Sequence, residues 1–254
     1  MEIWSDSKSC NHSLPDILII GPQKTGTTAL HSFLKLHPSV ESNRNSPTTF
    51  EEPQFFSNTA IYELGIDWYM ELFPAKTEVS HNASMSGATV LFEKSATYFD
   101  NDVAPLRAKR LLPKAKVLAV LISPVNRAYS WYQVSFWHLQ VIALVSINWY
   151  SKPLAIISLK HQRAHDDPTA LAYSFHDVVT AGPDVERPLR SLQSRCLEPG
   201  KYAQHLERWL LHFKARQLHI VDGEEIKYDP VSFMNRLQHQ LNIQPFVNYT
   251  KKIR

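Results

Sequence analysis

The stretch Ile19 to Leu30 reads IIGPQKTGTTAL and packs two glycines, one cation and three hydroxyls into a single turn. A glycine-bracketed turn between an apolar run and a helix gathers unsatisfied backbone N–H groups, and those groups together with the helix dipole favour an anion. A triphosphatase loop places its lysine directly after the second glycine and follows it with a hydroxyl that holds magnesium. Here Gly21 and Gly26 keep that spacing, but Thr27 stands in the lysine position and Lys24 lies upstream inside the loop. An ATP site, and with it a small-molecule kinase, lacks the loop it needs. The backbone amides of Thr25, Gly26, Thr27 and Thr28 and the hydroxyls of the three threonines still make an anion nest. The chemistry this predicts is capture of a phosphate-bearing ligand without an obligatory metal.

Such a loop needs rigid support on both sides. Asp16 to Ile20 (DILII) is a short apolar run entering a glycine, the pattern of a buried strand in a parallel sheet. A helix is expected from about Ala29 to His37, stopped by Pro38. Thr89 to Glu93, Lys116 to Ile122 and Gln217 to Val221 read as further buried strands. Helical spacing with proline or glycine boundaries covers Val103 to Leu112, Pro168 to Ala181, Lys201 to Lys214 and Pro230 to Leu241. Strands alternating with helices predict a P-loop-like three-layer α/β fold with a central parallel sheet, and in such sheets ligands bind outside the carboxyl ends of the strands. Trp68, Trp131 and Trp209 read as packing aromatics rather than sugar platforms.

The 254 residues suffice for one good core, so a single domain over 1–254 is the default. A net charge of +3 is too mild to argue for nucleic-acid binding. Cys10 and Cys196, far apart, imply neither a disulfide framework nor a zinc-ligand spacing. The sequons at Asn11, Asn82 and Asn248 lean toward a secretory lumen, while the N-terminal MEIWSDSKSC has no basic start and no apolar run, so a lumenal protein would need its targeting segment elsewhere.

The loop GPQKTGTTAL, together with TFEEPQFF (Thr49 to Phe56), GIDWYMELFP (Gly65 to Pro74), FEKSATYFD (Phe92 to Asp100), LLPKAKVLAVLISPVNRAYSWYQ (Leu111 to Gln133) and HQRAHDDP (His161 to Pro168), resembles the sulfotransferase domain of the heparan sulfate N-deacetylase/N-sulfotransferases. These enzymes use 3'-phosphoadenylyl sulfate (PAPS) as co-substrate. The resemblance runs from about Ile3 to Tyr249 and implies roles position by position. Lys24 with Thr25, Gly26, Thr27 and Thr28 would bind the 5'-phosphosulfate, and Lys24 would stabilise charge building on the leaving oxygen. Arg127 and Ser130 would grip the 3'-phosphate, since a planar guanidinium can bind phosphate with two parallel bonds. Glu52 would be the base that deprotonates a glucosamine amine, with Glu51 an open alternative. His161, and with it His165, would contact the acceptor or assist proton transfer. The implied partner is the heparan sulfate precursor polysaccharide, the implied compartment the Golgi lumen, with no membrane segment in this chain although the family enzymes are membrane-anchored. The competing expectation is a catalytically inactive or glycan-binding remnant.

Two departures accompany the resemblance. Val134 to Lys160 separates SWYQ from HQRAHDDP, which are continuous in the family, and contains no acidic residue. Without it His161 would follow Ser130 by one helical turn, so that Arg127, Ser130 and His161 share a face. Its first residues, Val-Ser, can be encoded GTAAGT and its last, Lys, AAG, so 134–160 is expected to be a non-native insertion of unspliced origin; His138, Gln140, Asn148, Lys152 and Pro153 argue against a membrane span. The chain is also expected to be truncated at its C-terminus, where the family continues into a loop closing over the cofactor.

Overall fold

The computed structural model describes residues 12–47, 49–75, 89–133 and 168–253. The segment Val134 to Lys160, His161, His165, Cys10, Asn11 and Asn82 lie outside the described residues. The described residues up to Ile122, together with those from Ala203 onward, form one compact unit; those between Ser123 and Tyr202 form a second.

The first unit is built on five parallel strands: β1 (Ile17–Gly21), β2 (Val40–Ser42), β3 (Val90–Lys94), β4 (Lys116–Leu121) and β5 (Leu218–Asp222). Their spatial order is β2-β3-β1-β4-β5, with Ile17 paired to Phe92 on one side and to Lys116 on the other. The central strands β1 and β4 are apolar and buried on both faces, as strands covered on both sides must be. One face buries Ile17, Ile19, Phe92, Leu118, Val120 and Val221 against Leu30 and Leu34 of the first helix, Thr27–Leu34, and against Phe233, Met234 and Leu237 of the helix Pro230–Gln240. Their spacing of two along each strand follows the pleat. On the opposite face of β3, where Glu93 bonds Tyr69 and Tyr98, lies an aromatic cluster, in which Phe55 stacks on Tyr69 at 4.5 Å and Phe56 meets Tyr98 at 5.4 Å.

The second unit holds a helix over residues 124–133, the helices Phe175–Thr180 and Arg187–Leu197, and a core of Ala128, Trp131, Tyr132, Val178, Leu192 and Cys196. The single helix expected over Pro168 to Ala181 is in fact a 3₁₀ turn, Pro168–Leu171, followed by a separate helix from Phe175. The break has a local cause: Ser174 is extended and accepts from the N–H of Asp177 while Asp177 receives the Ser174 N–H, a capping box that starts a new helix. The first helix begins two residues earlier than expected and ends at Leu34, and the short strand β2 and the helices Gly65–Glu71 and Arg187–Leu197 were not read from the sequence. Trp131 and Trp209 are buried, and the Trp209 indole donates to the Phe99 carbonyl at 3.2 Å, while half-buried Trp68 stacks on Phe55 at 6.2 Å. All three pack as expected. Among the described residues no helix is long and apolar enough to cross a membrane.

Candidate active site

The loop between β1 and the first helix leaves the carboxyl end of the strand where connections diverge to either side of β1, the switch point at which parallel sheets bind ligands. Gly21 has φ 105°, and a Cβ there would lie 2.3 Å from the Ala96 carbonyl oxygen, so only glycine lets the loop leave this close to the chain after β3. Gly26, φ 99°, forms the N-cap of the first helix, and no side chain caps it. The amides of the first turn are therefore left for an anion. Thr27 is buried and Thr28 exposed. The Thr25 hydroxyl has another task than ligand donation: it donates to the Pro22 carbonyl at 2.8 Å and staples the loop, which leaves Thr25 its backbone N–H.

Lys24 sits half-buried in the left-handed region, φ 69°. Burial lowers its pKa, with Glu52 opposing and Lys94 adding to the drop. An ammonium held in this way gains from any anion that enters the loop.

The Glu51–Glu52 pair comes from a loop whose φ is positive at Phe50 (58°) and Gln54 (54°) and whose following Phe55 and Phe56 are fully buried in the aromatic cluster. The apolar anchors hold the glutamates at the sheet's carboxyl edge. Lys94, at the end of β3 and fully buried, reaches both: its ammonium is 2.9 Å from Glu52 Oε1 and 3.3 Å from Glu51 Oε1. Glu52 Oε2 accepts the Ala96 N–H at 3.2 Å. Asn43 Nδ2 donates to the Glu51 carbonyl at 3.2 Å. A buried ammonium costs several kcal/mol unless compensated, and here the two carboxylates compensate it.

His31, on the first helix, completes the group. Its Nδ1 is 3.7 Å from Glu51 Oε2, its Nε2 is 3.0 Å from Ser42 Oγ, and its ring meets Phe92 edge-on at 5.3 Å. Burial, reinforced by Lys94 and opposed by Glu51, brings its pKa down to about 4, so it is neutral at physiological pH. Lys94 and His31 were not assigned a role from the sequence. Lys94 lies in the stretch FEKSATYFD and would have been found by the pleat: Phe92 and Lys94 share a face of β3. His31 is four residues after Thr27 and so faces the same side of the helix.

Arg127 and Ser130 belong to the helix over 124–133 in the second unit. Ser130 is half-buried, but Arg127 is fully buried and its guanidinium donates to the Cys196 carbonyl, where it ties this helix to Arg187–Leu197. The expected grip on a phosphate asks that same guanidinium to serve a second acceptor. Cys196 is buried and its thiol pushed up to about 11, mainly by burial, hence unreactive. Among the described residues no cluster of His, Cys, Asp and Glu could hold a metal ion.

A five-stranded parallel sheet whose switch-point loop presents uncapped amides and a lysine beside a cation-clamped carboxylate pair defines an α/β anion-binding architecture. The chain belongs to the sulfotransferase domain family, which it matches over residues 14–254. It is 46% identical over 257 residues to the bifunctional heparan sulfate N-deacetylase/N-sulfotransferase of Drosophila melanogaster, covering 100% of this chain and 22% of that protein. To the human bifunctional heparan sulfate N-deacetylase/N-sulfotransferase 2 it is 49% identical over 253 residues, covering 100% and 25%. The chain thus spans about a quarter of the length of these curated relatives. The fold matches the crystal structure of a sulfotransferase from Alicyclobacillus acidocaldarius with a TM-score of 0.58 at 21% identity, covering 95% of this chain and 90% of that one.

Proposed function

We propose that this chain performs PAPS-dependent sulfuryl transfer to the free amine of glucosamine residues in a heparan sulfate precursor. Support comes from family membership, from the names of the relatives and above all from one arrangement: Lys24, inside a loop of uncapped amides, faces a carboxylate pair held by Lys94. PAPS, when bound, supplies an activated sulfuryl group on a phosphate leaving group. The residues present fit it, since the amides of Gly26 to Thr28 and the Lys24 ammonium are positioned for a phosphosulfate and need no metal.

Within the chain, Lys24 offsets the charge that accumulates at the leaving oxygen, an electrostatic contribution aimed at the transition state. Glu52 acts as the general base toward the acceptor amine. The Lys94 ammonium and the Ala96 N–H hold both of its oxygens in place, and proton transfer of this kind contributes about 10²–10⁴-fold. Glu51, more exposed and less tied, orients the acceptor or shares the base role. Arg127 and Ser130 bind the 3'-phosphate, and His161 and His165 contact the acceptor, as the resemblance implies. The compartment is the Golgi lumen, in keeping with the polysaccharide acceptor and with the sequon at exposed Asn248.

Labelled PAPS with N-deacetylated heparosan as acceptor tests the reading. Transfer should fall about 10²-fold or more in Glu52→Gln and in Lys24→Ala and less in Glu51→Gln. Transfer by the unaltered chain no greater than that by Lys24→Ala would point instead to a glycan-binding remnant.

A further inference from the structure

Glu93, next to Lys94 on β3, faces away from the carboxylate pair and is fully buried, as are Tyr69, Ser95 and Tyr98 around it. All three hydroxyls reach its carboxyl group. Ser95 Oγ lies 2.9 Å and Tyr98 OH 2.5 Å from Oε1, and Tyr69 OH bonds Oε2. Two of these hydroxyls have a second partner. The Gln54 N–H donates to Ser95 Oγ at 2.9 Å, and the Phe56 N–H donates to Tyr98 OH at 3.3 Å. An amide N–H can only donate, so each hydroxyl spends a lone pair on the loop and has one proton left, which it gives to Glu93 Oε1.

We propose that Glu93 is a positioning residue: by orienting the Ser95 and Tyr98 hydroxyls it holds the Gln54 and Phe56 backbone, and so sets the place of Glu51 and Glu52 just upstream. The proposal rests on the sulfuryl-transfer reading for its kinetic consequence, but its structural content does not. A carboxyl group on an inner strand is costly unless fully bonded, and every bond here either runs to the loop or braces the helix Gly65–Glu71 that packs under it. Burial pushes the Glu93 carboxyl up to about 7, the hydroxyls oppose the rise and Glu52 adds to it. The other titratable groups facing it are Tyr69 and Tyr98, both pushed well up by burial and by Glu93 itself, and Lys94 lies on the opposite side of the pleat. The two oxygens have separate work. Oε1 orients both loop anchors, while Oε2 meets Tyr69, whose hydroxyl can donate to a carboxylate or accept from a carboxylic acid.

That division makes Glu93→Gln the informative variant. Its carbonyl oxygen can still accept from Ser95 and Tyr98, and its NH₂ can donate to Tyr69. Hydrogen exchange of the Gln54 and Phe56 amides should quicken about tenfold or more in Glu93→Ala and in the milder Ser95→Ala/Tyr98→Phe double variant, and should stay within about twofold of the parent in Glu93→Gln. In the transfer assay Glu93→Ala should lose about tenfold or more in kcat with KM for PAPS little changed, because the cofactor loop is untouched. Glu93→Gln should restore kcat, because its carbonyl oxygen keeps the Ser95 and Tyr98 hydroxyls oriented toward the loop. Unchanged exchange at Gln54 and Phe56 in both disrupting variants overturns the proposal, as does a glutamine variant as damaged as the alanine one. If the parent transfers no sulfuryl group, the exchange measurements still decide it; if Glu93→Ala does not fold, the double variant does.

Discussion

His31 and Glu93 carry opposite proton linkages from opposite faces of one strand. His31 is held neutral by burial with its pKa down at about 4 from the ordinary 6.5, so its contribution is present above pH 6.5 and lost as pH falls through 4. Glu93 has its pKa raised to about 7 from 4.5, so its contribution is present below pH 4.5 and lost as pH rises through 7. Each shift corresponds to about 3 kcal/mol at most, and between pH 4.5 and 6.5 the two slopes oppose. His31→Gln should therefore flatten the loss of thermal stability on acidification, while Glu93→Gln should flatten the loss toward pH 8. Unfolding temperatures recorded from pH 4 to 8 separate them, and parallel curves for both variants and the parent would refute the assignment. The same pair shows how far residue types can be read. Lys24 declares itself through its place in a glycine-bracketed loop, whereas His31, Glu93 and Lys94 look in the sequence like ordinary helix and strand residues.

At the scale of elements, the loop after β1 is shaped by the segment that follows β5. Gly223 opens the helix Gly223–Tyr228, and a Cβ on it would lie 2.3 Å from the Thr25 carbonyl oxygen and 2.7 Å from Ile122 Cγ2. The Thr25 backbone cannot retreat without moving the loop. At Gly26, by contrast, a Cβ meets nothing closer than 3.8 Å, and the obstacle is its positive φ, which costs about 1–2 kcal/mol for an L-residue. Gly223→Ala should therefore weaken adenosine 3',5'-bisphosphate binding more than Gly26→Ala, by about tenfold or more, as titration calorimetry would record. Equal affinities would show that the Thr25 carbonyl does not transmit the clash. The alternation of apolar strands and helices was enough to foresee β1, β3, β4 and β5 within a residue or so. The short β2, whose VES has one buried apolar residue, was not visible, because its pairing with β3 is made by backbone contacts that leave no periodic trace.

Over the whole molecule, the five-stranded unit and the unit between Ser123 and Tyr202 each have their own apolar core. The expected insertion Val134 to Lys160 falls within the stretch that joins the helix over 124–133 to Pro168. A chain lacking it should unfold at the same or a higher temperature and bind adenosine 3',5'-bisphosphate at least as tightly. A lower unfolding temperature would show that the segment contributes to the folded state. Sequencing of transcripts across the junction bears on the same point from the side of expression.

The sequence by itself determined the parallel α/β class, the anion-binding loop with its early lysine and the family, because strand periodicity and glycine placement are local properties that survive without coordinates. Only the tertiary structure decided that Lys94 clamps both glutamates, that His31 faces them and that Glu93 braces their loop from the other side of the sheet. It also decided that Arg127 spends part of its guanidinium on the Cys196 carbonyl. Each of these links joins residues distant in the chain, and a charge or a hydroxyl in a sequence does not say which partner will be brought to it when the core closes.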